Sequence, residues 1–172
     1  REIREKYGIT EDDFVVGHVG RFYPQKNHEF LIDVFTELHK QKANAKLLLL
    51  GDGPLQEHIK QKIDSLGLSN YVFFAGLQKD PAPFYSAMDV LAFPSLWEGL
   101  PLTLVEAQYA GLSCVVSEDI SKEVDVLNNI VRLRLTDSEK KWANVLISQT
   151  RMRNCLKCAK SLFDIDETYP QL

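Results

Sequence analysis

The sequence lacks long apolar runs, has few cysteines and carries no large excess of charge, and each shortage excludes a class of protein. No apolar stretch approaches the roughly 20 residues that a membrane-spanning helix needs. The formal net charge of −4 argues against a protein that binds nucleic acid through a broad basic surface. The three cysteines are an odd number without paired spacing, so we expect reduced thiols and a cytoplasmic protein.

The cysteines and histidines do not form a metal-binding pattern. Cys155 and Cys158 make a single C-x-x-C. A zinc site needs a second pair or nearby histidines, and a redox site needs a strand-to-helix turn before the motif. The four histidines are scattered along the chain. We therefore expect helix-face cysteines and no metal site.

Three motifs that occur on other α/β folds are also missing. A nicotinamide dehydrogenase would carry G-x-G-x-x-G directly after its first strand. Here Gly17 and Gly20 stand within and at the end of that strand, and Arg21 follows. The sequence contains neither a P-loop nor a G-x-S-x-G elbow. A dehydrogenase is therefore disfavoured.

Short apolar runs alternate with helical patterns along the 172 residues, a length that suits one domain with a real core. Continuous apolar runs of this kind are typical of parallel strands that are covered on both faces. A sixth run alternates in polarity and suits a sheet edge. Together they predict an α/β fold with a Rossmann-like, doubly wound parallel sheet. The predicted strands are 14–20, 46–51, 71–76, 89–93, 113–117 and 130–135, and the predicted helices are 1–8, 28–41, 54–66, 84–88, 101–110 and 138–150.

The loop after the first strand carries two cations ahead of a helix. In doubly wound sheets, ligands bind beyond the carboxyl ends of the strands, where this loop lies. Arg21 offers a fork of donors and Lys26 a compact charge, a pair that suits a diphosphate. Asn27 is a predicted N-cap for the helix that follows. Two solvated surface cations are the alternative interpretation.

Residues 94–117 contain two carboxylates, Glu98 and Glu106, on either side of seven residues. Between them, the loop 99–101 leads into a helix, whose first backbone N–H groups attract anions. A carboxylate on the loop can accept hydrogen bonds from sugar hydroxyls, and one in the helix can accept them from a ribose. Alternatively, Thr103 and Glu106 form a capping box and Glu98 is a surface acid. The spacing alone leaves both interpretations open.

With these loops assembled, the chain resembles the C-terminal, donor-binding domain of glycosyltransferase family 4, whose members are retaining enzymes of the GT-B fold. The resemblance covers about residues 12–150. Residues 117–126 look like the bacterial capsule and exopolysaccharide branch. The matching motifs are Gly20-Arg21 with Lys26-Asn27, Gly51 to Pro54, Val72 to Gly76, Asp89 to Ser95, and Glu98 with Glu106, Ala107 and Gly111.

The resemblance implies that the enzyme transfers a sugar from a nucleotide-diphosphate sugar to a polysaccharide or lipid-linked acceptor. In this family we expect the donor to be a UDP-sugar. We expect no metal cofactor. Arg21 and Lys26, beside Gly20, would neutralise the diphosphate as charge grows on it. Glu98 would be the catalytic residue, and its carboxylate would hold hydroxyls of the transferred sugar. Glu106 would bind the ribose. The base would lie near Leu77, and backbone N–H groups of Gly99, Leu100, Leu102 and Thr103 would complete the donor site.

The resemblance also divides the chain into parts. Residues 1–150 would form the Rossmann-like nucleotide-sugar-binding domain, and residues 151–172 a C-terminal helical tail. We expect the N-terminal acceptor domain of GT-B enzymes to lie outside these residues, so the chain alone should bind the donor weakly and not turn over. A basic run could touch the inner face of the plasma membrane, or it is a solvated helix face. It consists of Lys140, Lys141, Arg151, Arg153, Lys157 and Lys160.

Two other functions remain open. A GT-B enzyme resembling nucleotide-sugar 2-epimerases would need its own acid and base around the cleft, and the spacing of Glu98 and Glu106 speaks against it. A non-catalytic nucleotide-binding module would bind the nucleotide without regard to the sugar. Trp97, beside the expected site, is either a sugar platform or a packing residue.

Overall fold

The computed structural model describes residues 2–149 as a parallel sheet of six strands with helices on both faces. The strands are β1 (Phe14–Val19), β2 (Ala45–Leu50), β3 (Val72–Gly76), β4 (Val90–Phe93), β5 (Ser113–Ser117) and β6 (Ile130–Leu133). The helices are α1 (Glu2–Lys6), α2 (His28–Gln41), α3 (Gln56–Ser65), α4 (Ala82–Ala87), α5 (Leu102–Tyr109) and α6 (Glu139–Ser148), with short 3₁₀ turns at Pro24–Lys26 and Lys122–Val124. The predicted α/β class and doubly wound sheet are confirmed.

The strands follow the order β3-β2-β1-β4-β5-β6, and every pairing between them is parallel. The chain reverses its direction of winding between β1 and β4. The helices that follow these two strands, α2 and α5, therefore pack on opposite faces of the sheet, the arrangement in which ligands bind at the carboxyl ends of the strands. Among residues 2–149, the alternating strand β6 lies at the edge of the sheet next to β5, as its pattern predicts.

The sheet separates two hydrophobic layers, and this explains why the strands are apolar on both faces. Leu47 and Leu49 of β2 pack with one layer, while Leu48 and Leu50 pack with the other. Residues of α2, α3 and α6 cover the first face, and residues of α4 and α5 cover the second. A strand that is buried on both sides has no polar face, so its sequence shows no alternation.

Two expectations about helix starts need correction. Helix α5 begins at Leu102 with Pro101 as its N-cap and without a side-chain cap. Thr103 therefore lies inside the helix, and the capping-box interpretation of Thr103 and Glu106 is wrong. Asn27 is the N-cap of α2 as predicted, but its backbone is left-handed, with φ of 55°, and its side chain makes no capping bond. The amide instead donates to the carbonyl oxygen of Pro94, 3.2 Å away.

The end of α5 follows the prediction. Gly111 has φ of 78°, a value that a residue with a side chain rarely adopts, and Leu112 then donates its N–H to the carbonyl oxygen of Ala107. Within residues 2–149, no helix is long and apolar enough to cross a bilayer. The predicted tail, both cysteines of the C-x-x-C and the basic residues from Arg151 onward lie outside the described residues.

Candidate functional site

A cavity of about 240 Å³ opens at the carboxyl ends of β1 and β2. It lies where ligands bind in doubly wound sheets, and the early turns of α5 form one of its walls. Five of the predicted donor-binding residues reach it, from two separate loops and a helix. The lining consists of Val19, Gly20, Arg21, Leu50, Gly51, Leu77, Gln78, Pro81, Thr103 and Glu106.

Backbone contact between two loops shapes the cavity floor. Gly20 donates its N–H to the carbonyl oxygen of Leu50 at 2.9 Å, and Gly51 donates to that of Gly76 at 2.9 Å. Gly51 has φ of 130°, and a Cβ atom there would lie 2.1 Å from the carbonyl oxygen of Gly20. Only glycine fits at this position, because any side chain would push the loops apart.

Glu106 is an exposed acid whose carboxylate is nevertheless anchored. The hydroxyl of Tyr85, on α4, donates to Glu106 Oε2 at 2.9 Å. Burial of the Tyr85 ring raises the pKa of its hydroxyl, and the bond to Glu106 raises it further, so the phenol keeps its proton and acts as donor. Tyr85 lies in the helix predicted at 84–88, whose pattern gives no sign that the hydroxyl has a partner at the site.

Lys26 and Glu98 form an ion pair beside the cavity. Their Nζ and Oε1 atoms are 2.5 Å apart, and the side chains are only 17% and 9% exposed. The Lys26 ammonium also lies 5.0 Å from the centroid of the Phe93 ring. A Cβ atom at Gly20 would stand 3.0 Å from Lys26 Cδ, so the lysine stem runs along the glycine that borders the cavity. The pair thus extends the site from the cavity toward the loop after β4.

Hydrogen bonds join the loop after β1 to the loop after β4. Leu96 donates its N–H to the carbonyl oxygen of Gln25 at 2.8 Å, and the Asn27 amide reaches Pro94. Ser117, at the end of β5, donates its hydroxyl to the carbonyl oxygen of Ser95 at 2.6 Å. The second loop is therefore held from both neighbouring strands.

Two buried histidines lie under the first loop. His18 Nδ1 donates to the carbonyl oxygen of Ala92 at 2.9 Å, since a carbonyl can only accept. The His18 and His28 rings meet edge to face with centroids 4.7 Å apart, and His28 stacks on Phe22 at 4.1 Å. Burial lowers the pKa of His18 to about 4 and that of His28 to about 2. Both rings are neutral near pH 7, so the positive charge of this region comes from Arg21 and Lys26.

Several predicted residues are exposed at the rim. The guanidinium of Arg21 stacks on the Tyr23 ring at 4.7 Å, and its Nη2 donates to the Tyr23 hydroxyl at 3.3 Å. Trp97 is 59% exposed and so is not a core packing residue. The exposed fractions of three predicted residues are also high: 73% for Leu77, 54% for Leu100 and 63% for Leu102.

The structure brings part of the predicted site together. Gly20, Arg21, Leu77, Thr103 and Glu106 line the cavity. Lys26 and Glu98 are paired with each other next to it, a contact that no spacing in the sequence indicates. Gly99, Leu100 and Leu102 lie on the exposed loop and at the start of α5 and do not line the cavity. The binding role of each residue stays a prediction.

The family model described as "Glycosyl transferases group 1" matches residues 1–147. The chain belongs to this family. Its α/β sheet matches those of GT-B glycosyltransferases of known structure. One of them, HepE of Anabaena in complex with UDP, superimposes with a TM-score of 0.74 at 25% identity, over 94% of this chain and 43% of HepE.

Two bacterial proteins are similar to this chain in sequence. EpsF of Bacillus subtilis, a protein named as a glycosyltransferase, is 38% identical over 140 residues, which are 81% of this chain and 36% of EpsF. An Escherichia coli relative is named UDP-Gal:alpha-D-GlcNAc-diphosphoundecaprenol alpha-1,3-galactosyltransferase. It is 32% identical over 120 residues, which are 67% of this chain and 30% of the relative. The chain thus spans less than half the length of the proteins it matches.

Proposed function

We propose that this chain is the donor-binding part of a retaining glycosyltransferase that takes a sugar from a UDP-sugar and passes it to a polysaccharide or lipid-linked acceptor. The observation that carries the proposal is the cavity bordered by Arg21 and by the anchored Glu106, with the Lys26–Glu98 pair beside it. Support for UDP comes from HepE, which is described in complex with UDP and with UDP-glucose. Relatives named for Vi polysaccharide and amylovoran biosynthesis support a surface polysaccharide as the product.

The proposed chemistry rests on charge at the leaving group. As the bond between the sugar and the diphosphate breaks, negative charge grows on the departing nucleoside diphosphate. Arg21 and Lys26 stabilise that charge, together with the backbone N–H groups of Gly99, Leu100, Leu102 and Thr103. Because fixed cations and dipoles supply this stabilisation, we propose that the transfer needs no metal ion.

In this proposal, two carboxylates bind the ribose and the sugar of the donor. Glu106 accepts hydrogen bonds from the ribose, and its Tyr85 bond keeps the carboxylate aimed at the cavity. Glu98 accepts hydrogen bonds from hydroxyls of the transferred sugar. The contact between Lys26 and Glu98 supports this assignment, because a sugar bonded to a diphosphate held by Lys26 would lie near Glu98.

The acceptor half of the reaction lies, in this proposal, in a domain outside the 172 residues. The exposed apolar side chains of Trp97, Leu100 and Leu102 border the site and offer a surface against which such a domain can close. We accordingly expect the chain alone to bind the donor weakly and not to transfer sugar.

Titration of the 172-residue chain with UDP, GDP, ADP and NAD, followed by ¹H–¹⁵N NMR, tests the proposal, because NMR detects millimolar affinities. We expect UDP to bind best, with EDTA present or absent, and to shift resonances of the cavity residues. Glu106→Gln and Arg21→Ala should each weaken UDP binding about tenfold, the cost of a charged hydrogen bond. Glu57→Gln, on an acid that is 73% exposed and pairs with Lys60 on its own helix, serves as the control. Preference for NAD, or no nucleotide binding at the cavity, would overturn the proposal.

A further inference from the structure

The side-chain amide of Gln25 crosses from the first loop to Glu98. Its Nε2 atom lies 2.8 Å from the carbonyl oxygen of Trp97 and 3.2 Å from Glu98 Oε2. Both partners are acceptors, so the nitrogen of the amide must face them, and its two hydrogens serve the two bonds. The backbone oxygen of Gln25 accepts the N–H of Leu96 in addition. Gln25 thus contacts three successive residues of the loop that carries Glu98.

The two oxygens of Glu98 therefore have partners of different kinds. Oε1 is bonded to the ammonium of Lys26, and Oε2 to the neutral amide of Gln25. A diphosphate carries more negative charge than a carboxylate and attracts the lysine strongly. It has much less attraction for a neutral amide whose two donors are already used. Donor binding therefore competes for only one of the two bonds that hold Glu98.

We propose that Gln25 is a positioning residue that keeps the Glu98 carboxylate aimed at the transferred sugar while Lys26 turns to the diphosphate. The inference rests on the proposed function of this site. It predicts that Gln25 affects the two ligands differently. The residue adds to the affinity for a nucleotide sugar and leaves the affinity for the free nucleotide diphosphate unchanged, so it favours a loaded donor over the spent one.

The first test compares UDP with UDP-glucose, UDP-galactose and UDP-N-acetylglucosamine on the 172-residue chain and on Gln25→Met. Methionine keeps the length of the side chain but removes both donors. We expect the affinity for the best UDP-sugar to fall about fivefold to tenfold, as for one hydrogen bond to a charged group, while UDP binds within about twofold of the wild type. An equal loss for UDP and the UDP-sugar, or no loss for either, overturns the inference.

The matched control is Asn27→Gly. It removes the other amide bond between the same two loops, from Asn27 to Pro94, and does not touch Glu98. Glycine also tolerates the left-handed backbone at this position, where φ is 55°. If Gln25 acts only by joining the loops, Asn27→Gly will give the same selective loss, and the positioning role is wrong.

A second measurement needs no nucleotide and separates failure of the inference from failure of the proposed function. The Lys26→Met variant removes the ammonium bound to Glu98 Oε1 and leaves the Gln25 amide bound to Oε2. We expect the Gln25 side-chain amide protons to stay protected from exchange there, relative to those of the exposed Gln61 on α3. Exchange as fast as that of Gln61 overturns the Gln25 role. Failure of UDP to bind the wild-type chain instead overturns the proposed function.

Discussion

The hydroxyl oxygen of Tyr85 lies 2.9 Å from Glu106 Oε2, and this bond ties an exposed carboxylate to a buried ring. An unanchored glutamate on a helix surface samples several rotamers, and ordering it costs free energy each time a ligand binds. Tyr85 removes part of that cost before the ligand arrives. The carboxylate therefore presents one orientation to the cavity that it lines.

We expect Tyr85→Phe to weaken UDP binding about threefold to tenfold while the fold persists, because the phenyl ring fills the same space and only one hydrogen bond is lost. The loss should be smaller than that caused by Glu106→Gln, which alters the acceptor itself. Tyr71→Phe is the control, because Tyr71 precedes β3 at the amino end of that strand and the cavity lies at the carboxyl ends of the strands. NMR titration measures all three variants. UDP affinity that is identical in wild type and Tyr85→Phe would show that the bond does not orient Glu106.

Gly51→Ala should destabilise the domain by about 2 to 4 kcal/mol. The added Cβ would lie 2.1 Å from the Gly20 carbonyl oxygen, and the backbone φ of 130° is unfavourable for any residue with a side chain. Gly99→Ala is the matched control, since nothing lies within 4 Å of its Cβ position. Urea unfolding of both variants measures the difference. Equal stability of the two variants would contradict the close approach of these loops.

The strands and helices were predictable, because each depends on a local pattern. Predicted and observed bounds differ by one or two residues at most ends, as expected where helices fray. The order of the strands could not be read from periodicity, which reports burial but not neighbours. β3 illustrates this: an apolar run predicts a covered strand, yet the strand lies at the sheet edge and is half-buried along most of its length.

The contacts of the candidate site were less predictable than its residue list. Lys26 and Glu98 are 72 positions apart, so no spacing rule joins them, and only the adjacency of β1 and β4 does. The ring of Tyr85 packs in the core, and its hydroxyl can bind a polar partner at a site. The helical pattern indicates burial of the ring and says nothing about the hydroxyl. Gln25 carries no charge and stands between a proline turn and a lysine, and therefore gave no signal of its own.

Arg4 joins α1 to the sheet, and its removal should destabilise the domain. Its Nη2 pairs with Asp89 Oδ2 at 2.9 Å, and its Nε donates to the carbonyl oxygen of Ala87 at 2.9 Å. Nη1 bonds the carbonyl oxygen of Thr10 as well. We expect Arg4→Met to lower the free energy of unfolding by about 2 kcal/mol, because the partly buried Asp89 carboxylate loses its charged partner and keeps the N–H of Val15. Lys6→Met, on an exposed lysine over the Tyr7 ring, should change it by less than about 0.5 kcal/mol. Denaturant curves that coincide for both variants would contradict this role.

The buried histidines under the first loop should make the domain sensitive to mild acid. Burial lowers the pKa of His18 to about 4 and of His28 to about 2, below the value near 6.5 in an unfolded chain. Below pH 6.5 the unfolded state therefore binds protons that the folded state does not, and stability falls as the pH falls. Each histidine contributes at most about 1.4 kcal/mol per pH unit, a slope approached about one unit below pH 6.5.

Urea unfolding between pH 7.5 and pH 5 measures this effect before most carboxylates begin to titrate. We expect the free energy of unfolding to be nearly constant above pH 7 and to fall progressively below pH 6.5. His28→Phe should reduce the slope by the share of one histidine, because phenylalanine can keep the stack on Phe22 and cannot bind a proton. A wild-type curve that is flat down to pH 5 would mean that the folded state accepts the proton. The ring pair would then have to open toward solvent, since His18 and Lys26 both oppose a charge on His28.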